Sequence, residues 1–155
     1  MKVQDIMARD VQCCGPHTNL AAAAQMMWDS DCGVLPVLNV EGKVGGVITD
    51  RDICMAVATR NKPASAITVW ETVSGKAWTC RDTDDIHTAL GIMKREKVRR
   101  LPVVDGDGVL QGVLSMNDLV LNAEDTKAKR VPELSYADVM HTLRAISQHR
   151  VLVGI

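Results

Sequence analysis

Two stretches of this sequence place a hydroxyl three residues ahead of a carboxylate: Gly46-Val47-Ile48-Thr49-Asp50-Arg51-Asp52 and Gly112-Val113-Leu114-Ser115-Met116-Asn117-Asp118. Both follow one pattern of Gly, two apolar residues, Thr or Ser, two variable residues and Asp. A hydroxyl where a strand becomes a helix can cap the helix while sharing its site with free amide hydrogens, which suit a phosphate. A carboxylate one turn further on can accept two charge-assisted hydrogen bonds from a vicinal diol such as a ribose. The same spacing is also that of a capping box, a common local device. One copy alone reads as capping. Two copies at equivalent places, each behind Gly-apolar-apolar and a Leu-Pro-Val strand, change that weighting.

The elements that would position these residues recur as well. Laid over itself with Asp52 on Asp118 and no gaps, the chain keeps one register. Val3 falls on Val69, Ala23 on Ala89, Met27 on Met93, Leu35-Pro36-Val37 on Leu101-Pro102-Val103, Gly42 on Gly108 and Gly46-Val47 on Gly112-Val113. Each copy reads as a short strand (Val11 to Cys14; Ala77 to Cys80) and then a helix (Leu20 to Ser30; Ile86 to Glu96). Thr18 and Asn19, or Asp84 and Asp85, stand where an N-cap belongs. A hairpin follows, from Val34 to Leu38 and Val44 to Ile48 around Asn39-Val40-Glu41-Gly42, and again from Leu101 to Val104 and Val109 to Leu114 around Asp105-Gly106-Asp107-Gly108. A second helix starts near Asp50 and near Asn117. The fold expected is therefore α/β in the α+β sense, with two β-α-β-β-α repeats.

The boundaries expected are 1–60 for the first repeat, 61–68 for a polar, proline-containing linker, 69–123 for the second repeat and 124–155 for a charged stretch and a C-terminal helix. That stretch runs from Glu124 to Arg130. The helix begins at a capping box of Ser135 with Asp138, and Val139, Leu143 and Ile146 share one face. The stripe needs a partner surface, either its own domain or another chain.

At this point the sequence resembles the cystathionine β-synthase (CBS) domains, over about residues 3 to 122. The resemblance is carried by Asp5-Ile6-Met7, by Val34-Leu35-Pro36-Val37 with Gly46 to Ile53, and by Val98-Arg99-Arg100-Leu101-Pro102-Val103-Val104-Asp105 with Gly112 to Leu119. Met7 is matched by Val73, a mild departure. The resemblance implies two repeats related by a pseudo-two-fold axis, a Bateman module with two clefts between the repeats that take adenosine compounds. It implies that Asp52 and Asp118 hold ribose hydroxyls and that Thr49 and Ser115 bind near the phosphates. Val34, Leu35 and Pro36, or Arg100, Leu101 and Pro102, would wall the adenine, with Cys13 and Thr79 nearby. AMP, ADP, ATP, S-adenosylmethionine and a dinucleotide all stay open as ligands, and no cofactor is required. Pairs of this family associate into disc-shaped dimers, which implies a homodimer.

The copies differ where a ligand would be chosen. Lys94, Arg95, Lys97, Arg99 and Arg100 precede the second Leu-Pro-Val, where the first copy has Ser30, Asp31, Cys32, Gly33 and Val34. Arginine's planar fork suits a polyphosphate. Arg99 and Arg100, and after them Arg51, are candidate phosphate contacts or plain solvated charges. The second copy is the cleft favoured first.

Other residues read as structure. His17, His87, His141 and His149 lack metal-ligand spacing. The five cysteines, Cys13, Cys14, Cys32, Cys54 and Cys80, form no C-x-x-C pair and read as reduced thiols. Cys13 and Cys14 are neighbours on a strand and point to opposite faces, against a disulfide. Met26, Met27 and Met93 read as core filling.

The chain has 155 residues, 46% apolar and 24% charged, the balance of a globular protein. Its 18 basic and 19 acidic residues leave a formal charge of -1, so no global field draws it to nucleic acid or an anionic membrane. Three tryptophans, one tyrosine and no phenylalanine offer little base stacking. No apolar run reaches the roughly 18 residues of a membrane span, and the first residues lack a signal peptide's apolar core, so a cytoplasmic location is expected. With no nucleophile-and-base set, P-loop or metal constellation, the chain is read as no enzyme. The leading expectation is a regulatory module that senses an adenosine compound and signals to an effector protein on another chain. The alternative is a ligand-free structural or interaction module with the C-terminal helix as its docking element.

Overall fold

In the computed structural model, which describes residues 1–73, 76–126 and 131–148, the first α-helix starts at a side-chain cap. Asn19 Oδ1 accepts the amide of Ala22 at 2.9 Å and opens α1 (Leu20–Asp29). Leu20, Ala23 and Met27 are its buried positions, at the spacing of one helical face. Next come β1 (Val34–Leu38) and β2 (Val44–Thr49), antiparallel, with Val34 opposite Thr49 and Leu38 opposite Val44. The turn between them is built on Asn39, whose Oδ1 accepts the amides of Glu41 and Lys43, both at 2.9 Å. Gly42 at φ 74 takes the left-handed conformation that a side chain would resist. Thr49 then opens α2 (Asp50–Arg60), which ends on a left-handed Asn61.

After α2 the chain forms α3 (Val69–Thr72), opened by a capping box of Thr68 with Glu71. The second copy then repeats the first, with β3 (Cys80–Arg81), α4 (Ile86–Glu96), β4 (Arg100–Val104), β5 (Leu110–Ser115) and α5 (Met116–Asn122). Asp85 caps α4 through the amide of His87 at 2.9 Å. Asp105 repeats the turn of Asn39, accepting the amides of Asp107 and Val109 at 2.9 and 3.0 Å, and Gly108 has φ 83. The strand order is β3-β4-β5. The first strand of each copy is shorter than expected: Cys14 makes a single parallel bridge to Val37, and only Cys80 and Arg81 form β3. In the first copy Gly15 and Pro16 follow at once, and proline has no N–H with which to continue a ladder.

The described residues form two compact units that cut across the repeats. One contains Met1–Ala8, Trp78–Val103 and the chain from Val113 onward; the other contains Arg9–Ala77 and Val104–Gly112. The leading segment of each copy is thus built into the unit of the other. Val3 donates to the carbonyl of Asp84 and Gln4 to that of Asp82, both at 3.0 Å. At the matching places, Val69 donates to Thr18 at 2.8 Å and Trp70 to Pro16 at 3.0 Å. Val3 and Met7 join the core of Leu90, Met93, Leu101 and Leu114, while Ile67 and Val69 join that of Leu20, Leu35 and Ile48.

The C-terminal helix α6 (Tyr136–Ser147) begins at Ser135 and packs on α4 and α5 of its own unit. Val139 is buried in that unit's core, and Leu143 and Ile146 pack against it. The stripe's partner is therefore its own domain. Lys127 to Arg130 of the charged stretch, and His149, lie outside the described residues.

The shared geometry of the caps sets an acid limit. Glu71 is held below its ordinary 4.5 by the amide and then the hydroxyl of Thr68. Asp85 is held below 3.8 by the amide of His87, and Asp138 by the hydroxyl and then the amide of Ser135. A carboxylate whose folded pKa is depressed contributes stability that is present above the unfolded value and lost as pH falls through the folded one. The urea midpoint should accordingly hold while the pH stays above the ordinary 4.5 and 3.8 of these carboxyls and fall once the pH drops below them; a midpoint unchanged by acidification below both values would contradict this. A second test concerns the exchanged segment. A Cβ on Gly46 would stand 2.7 Å from Cγ1 of Val73. Gly46→Ala should cost about 1–3 kcal/mol in urea unfolding, and Val73→Ala in the same chain should recover part of it. Additive losses would show that the two residues do not press on each other.

Candidate functional site

Thr49 is at once the last residue of β2 and the cap of α2. Its Oγ1 accepts the amide of Asp52 at 3.1 Å and donates to Asp52 Oδ2 at 2.7 Å, and its own amide donates to the same oxygen at 3.0 Å. In the second copy the corresponding distances for Ser115 and Asp118 are 3.4, 2.6 and 2.7 Å. The capping box is therefore real in both copies. It also uses only one carboxylate oxygen, and Oδ1 of each aspartate makes no hydrogen bond to another described residue. Both carboxylates are half-buried.

The box by itself is not distinctive, since Thr68 with Glu71 and Ser135 with Asp138 have the same geometry. What sets Thr49 and Ser115 apart is that each closes a sheet strand, so the hydroxyl stands at the sheet's end. Thr49 faces Val34 across the ladder. The backbone ahead of the Leu-Pro-Val strand is tied to the same junction: Asp50 donates to the carbonyl of Gly33 at 3.3 Å, and Met116 to that of Arg99 at 3.0 Å.

Alternation along the strands sorts the proposed wall residues. Leu35 and Val37 lie in one core, as Leu101 and Val103 do in the other, with Leu35 and Leu101 fully buried. Val34 and Pro36, and likewise Arg100 and Pro102, project from the opposite faces, where both prolines are buried and only Val34 and Arg100 are accessible. Cys13 precedes the bridge from Cys14 to Val37, and Thr79 precedes β3 beside β4, so both hold equivalent, partly exposed places.

The junctions differ in charge. A Cβ on Gly33 would lie 2.8 Å from Asp50 Oδ2, so in the first copy the glycine sits beside a second carboxylate, which would have to swing aside for any larger residue. The second copy has Arg99 and Met116 at those positions. The juxtaposition of Gly33 and Asp50 is not evident from their spacing in the chain. Arg51, Arg99 and Arg100 are exposed and make no side-chain hydrogen bond or ion pair with another described residue. Burial pushes the thiol of Cys14 up to about 11 and that of Cys80 up to about 12, so both stay protonated and weakly nucleophilic at neutral pH. His87 lies 3.1 Å from Asp85 and 3.7 Å from Asp138.

A cavity of about 390 Å³ lies at the other end of the β1–β2 pair, and none of the candidate ligand residues lines it. It combines Trp70 with Gly45 and Asn39. The overlay of the repeats held the one signal that could have found it, Gly45 standing where the second copy has Gln111.

Among the described residues no helix is long and apolar enough to cross a membrane, and no group of three or more His, Cys, Asp or Glu could hold a metal ion. Hypoxic response protein 1 of Mycobacterium tuberculosis is 31% identical over 116 residues, which is 75% of this chain and 80% of that protein. A crystal structure of Hypoxic Response Protein I with two coordinated zinc ions has a TM-score of 0.73 at 29% identity, covering 80% of this chain and all of that one. The fold is shared with the CBS domain pair of protein MJ0100 in complex with 5'-methylthioadenosine and S-adenosyl-L-methionine (TM-score 0.71, 22% identity, 78% and 94% covered). It is shared equally with CBSX2 in complex with AMP (TM-score 0.69, 22% identity, 77% and 94% covered). The CBS domain model matches twice, at residues 3–59 and 70–125, and with that double match laid on two strand-capped junctions the chain belongs to the CBS domain family as a tandem pair.

Proposed function

We propose that this chain is a regulatory module that binds an adenosine compound through Asp52 and Asp118 and passes the bound state to an effector protein. The observation that carries this reading is the second oxygen of each carboxylate. Oδ2 is consumed in capping, which locks the side chain, while Oδ1 has no partner among the described residues. A fixed, half-buried carboxylate oxygen is a preorganised acceptor for a ribose diol. The two CBS pairs of like fold with adenosine compounds in their complexes point to the same ligand class.

AMP, ADP, ATP and S-adenosylmethionine are the ligands proposed, with the second copy taking the phosphate-bearing one. Its junction has Arg99 and Arg100 and lacks the extra carboxylate that Asp50 brings to the first. Thr49 and Ser115 would stand near the phosphates, Val34, Pro36, Arg100 and Pro102 beside the adenine, and Cys13 and Thr79 at its edge. The module would act as a homodimer in the cytoplasm, without catalysis of its own. Its signalling range equals the difference in ligand affinity between its two states.

A thermal-shift screen of AMP, ADP, ATP and S-adenosylmethionine tests the reading. At about 100 times Kd, a binder contributes about 2.7 kcal/mol, a shift of several degrees for a chain of this size. Asp118→Asn keeps a capping oxygen but loses the charge, and should abolish the nucleotide response while leaving the unliganded midpoint within a few degrees. Asp52→Asn should spare it. No response from any of the four on the wild type would refute adenosine sensing; a normal response in both variants would refute the site.

A further inference from the structure

The β1–β2 hairpin has two ends. At one, Thr49 pairs with Val34; at the other, Leu38 pairs with Val44. Four residue steps of about 3.3 Å put about 13 Å of strand between them. The cavity of about 390 Å³ lies at the Leu38 end, apart from the Asp52 junction. Its size is at the low end for small-molecule pockets, which run from about 300 to 1,000 Å³.

The cavity has an aromatic wall that its own core does not cover. Trp70 is 58% exposed, yet its backbone is fixed by the bond to Pro16 at 3.0 Å and by that of Val69 to Thr18 at 2.8 Å. Gly45 keeps the space beside the ring open: a Cβ there would stand 3.9 Å from Trp70 Cζ3 and 3.8 Å from the carbonyl of Val37. The polar side chains are Asn39 and His17. Asn39 Oδ1 is held by two backbone amides, which fixes the plane of the amide and leaves both Nδ2 hydrogens without a partner among the described residues. His17 also makes no side-chain bond to another described residue. No Lys, Arg, Asp or Glu lines the cavity.

The second copy indicates what belongs there. Gln111 stands at the place of Gly45 and Asp105 at that of Asn39, and Gln111 Nε2 donates to Asp105 Oδ2 at 2.9 Å. A planar carboxamide thus fills in one copy the position that glycine leaves open in the other. The polarity at the turn is reversed, since Asn39 offers donors where Asp105 accepts. We infer that the cavity is a second binding site, for a small neutral heteroaromatic molecule of one or two fused rings that stacks on Trp70 and presents an acceptor to Asn39. It is independent of Asp52 and Asp118.

The test uses the full chain with Trp28→Phe and Trp78→Phe, which leaves Trp70 as the sole tryptophan. Nicotinamide and quinazolinone are the probes, with toluene as the control that lacks an acceptor. Both probes should quench Trp70 emission saturably, and toluene should bind at least about 10-fold more weakly. Gly45→Gln, which copies the second repeat into an open position, should abolish saturation while the melting temperature holds. Asn39→Asp, which keeps the turn as Asp105 does, should weaken the probes about 10-fold. Asp52→Asn and Asp118→Asn should leave the titrations unchanged, so failure here is separable from failure of adenosine binding. Linear, collisional quenching by both probes, or saturation that survives Gly45→Gln, overturns the site.

Discussion

The structure depends on the exchange of leading segments. Each core is closed by residues that belong, in sequence, to the other copy: Val3 and Met7 in one unit and, in the other, Val69 together with Ile67 at the end of the linker before it. The bonds that hold them are the same pair in both, an amide of the leading segment donating to the turn ahead of the first helix. A repeat of about sixty residues buries only about 60% of its unfolded surface and is marginal alone. Neither copy has a finished core without the other's first residues.

That constraint explains the glycine of the Gly-apolar-apolar-Thr pattern. At Gly46 on β2, Val73 of the exchanged segment occupies the space a side chain would need. In the first copy the motif is thus two devices in one stretch: a glycine that admits the other copy's segment, and a hydroxyl and carboxylate that end the strand and start the helix. Capping and the proposed ligand contact would not compete, because they would use different oxygens of one aspartate. The cap removes the side chain's freedom in advance, which lowers the entropy a ligand must overcome.

Much of the fold was legible because its signals are local. Caps at Asn19 and Asp85, turns on Asn39 and Asp105 and apolar periodicity mark elements within a few residues of themselves, and the repeat doubled each signal. The first strands were read too long because Val11 to Cys14 and Ala77 to Cys80 have strand-like composition while their pairing is set by distant partners. The exchange escaped for the same reason: nothing in Val3 or Val69 names the turn it bonds. At the site, the hydroxyl and carboxylate pairs were legible from spacing. The separation of Leu35 and Leu101 into the cores, with Val34 and Arg100 opposite, needed the strand's pleat, and the closeness of Gly33 to Asp50 needed three dimensions.

The exchanged segments also bear on how such a chain could arise. A half-length polypeptide with one copy's sequence could complete its core only by trading leading segments with a second molecule, an obligate swapped dimer whose folding depends on concentration. Joining two such genes through a stretch like Asn61 to Ser65 turns that encounter into an intramolecular one at millimolar effective concentration. Once joined, the halves need no longer be identical. Gly45 against Gln111, and Gly33 against Arg99, are differences that a symmetric ancestor would have had to make twice.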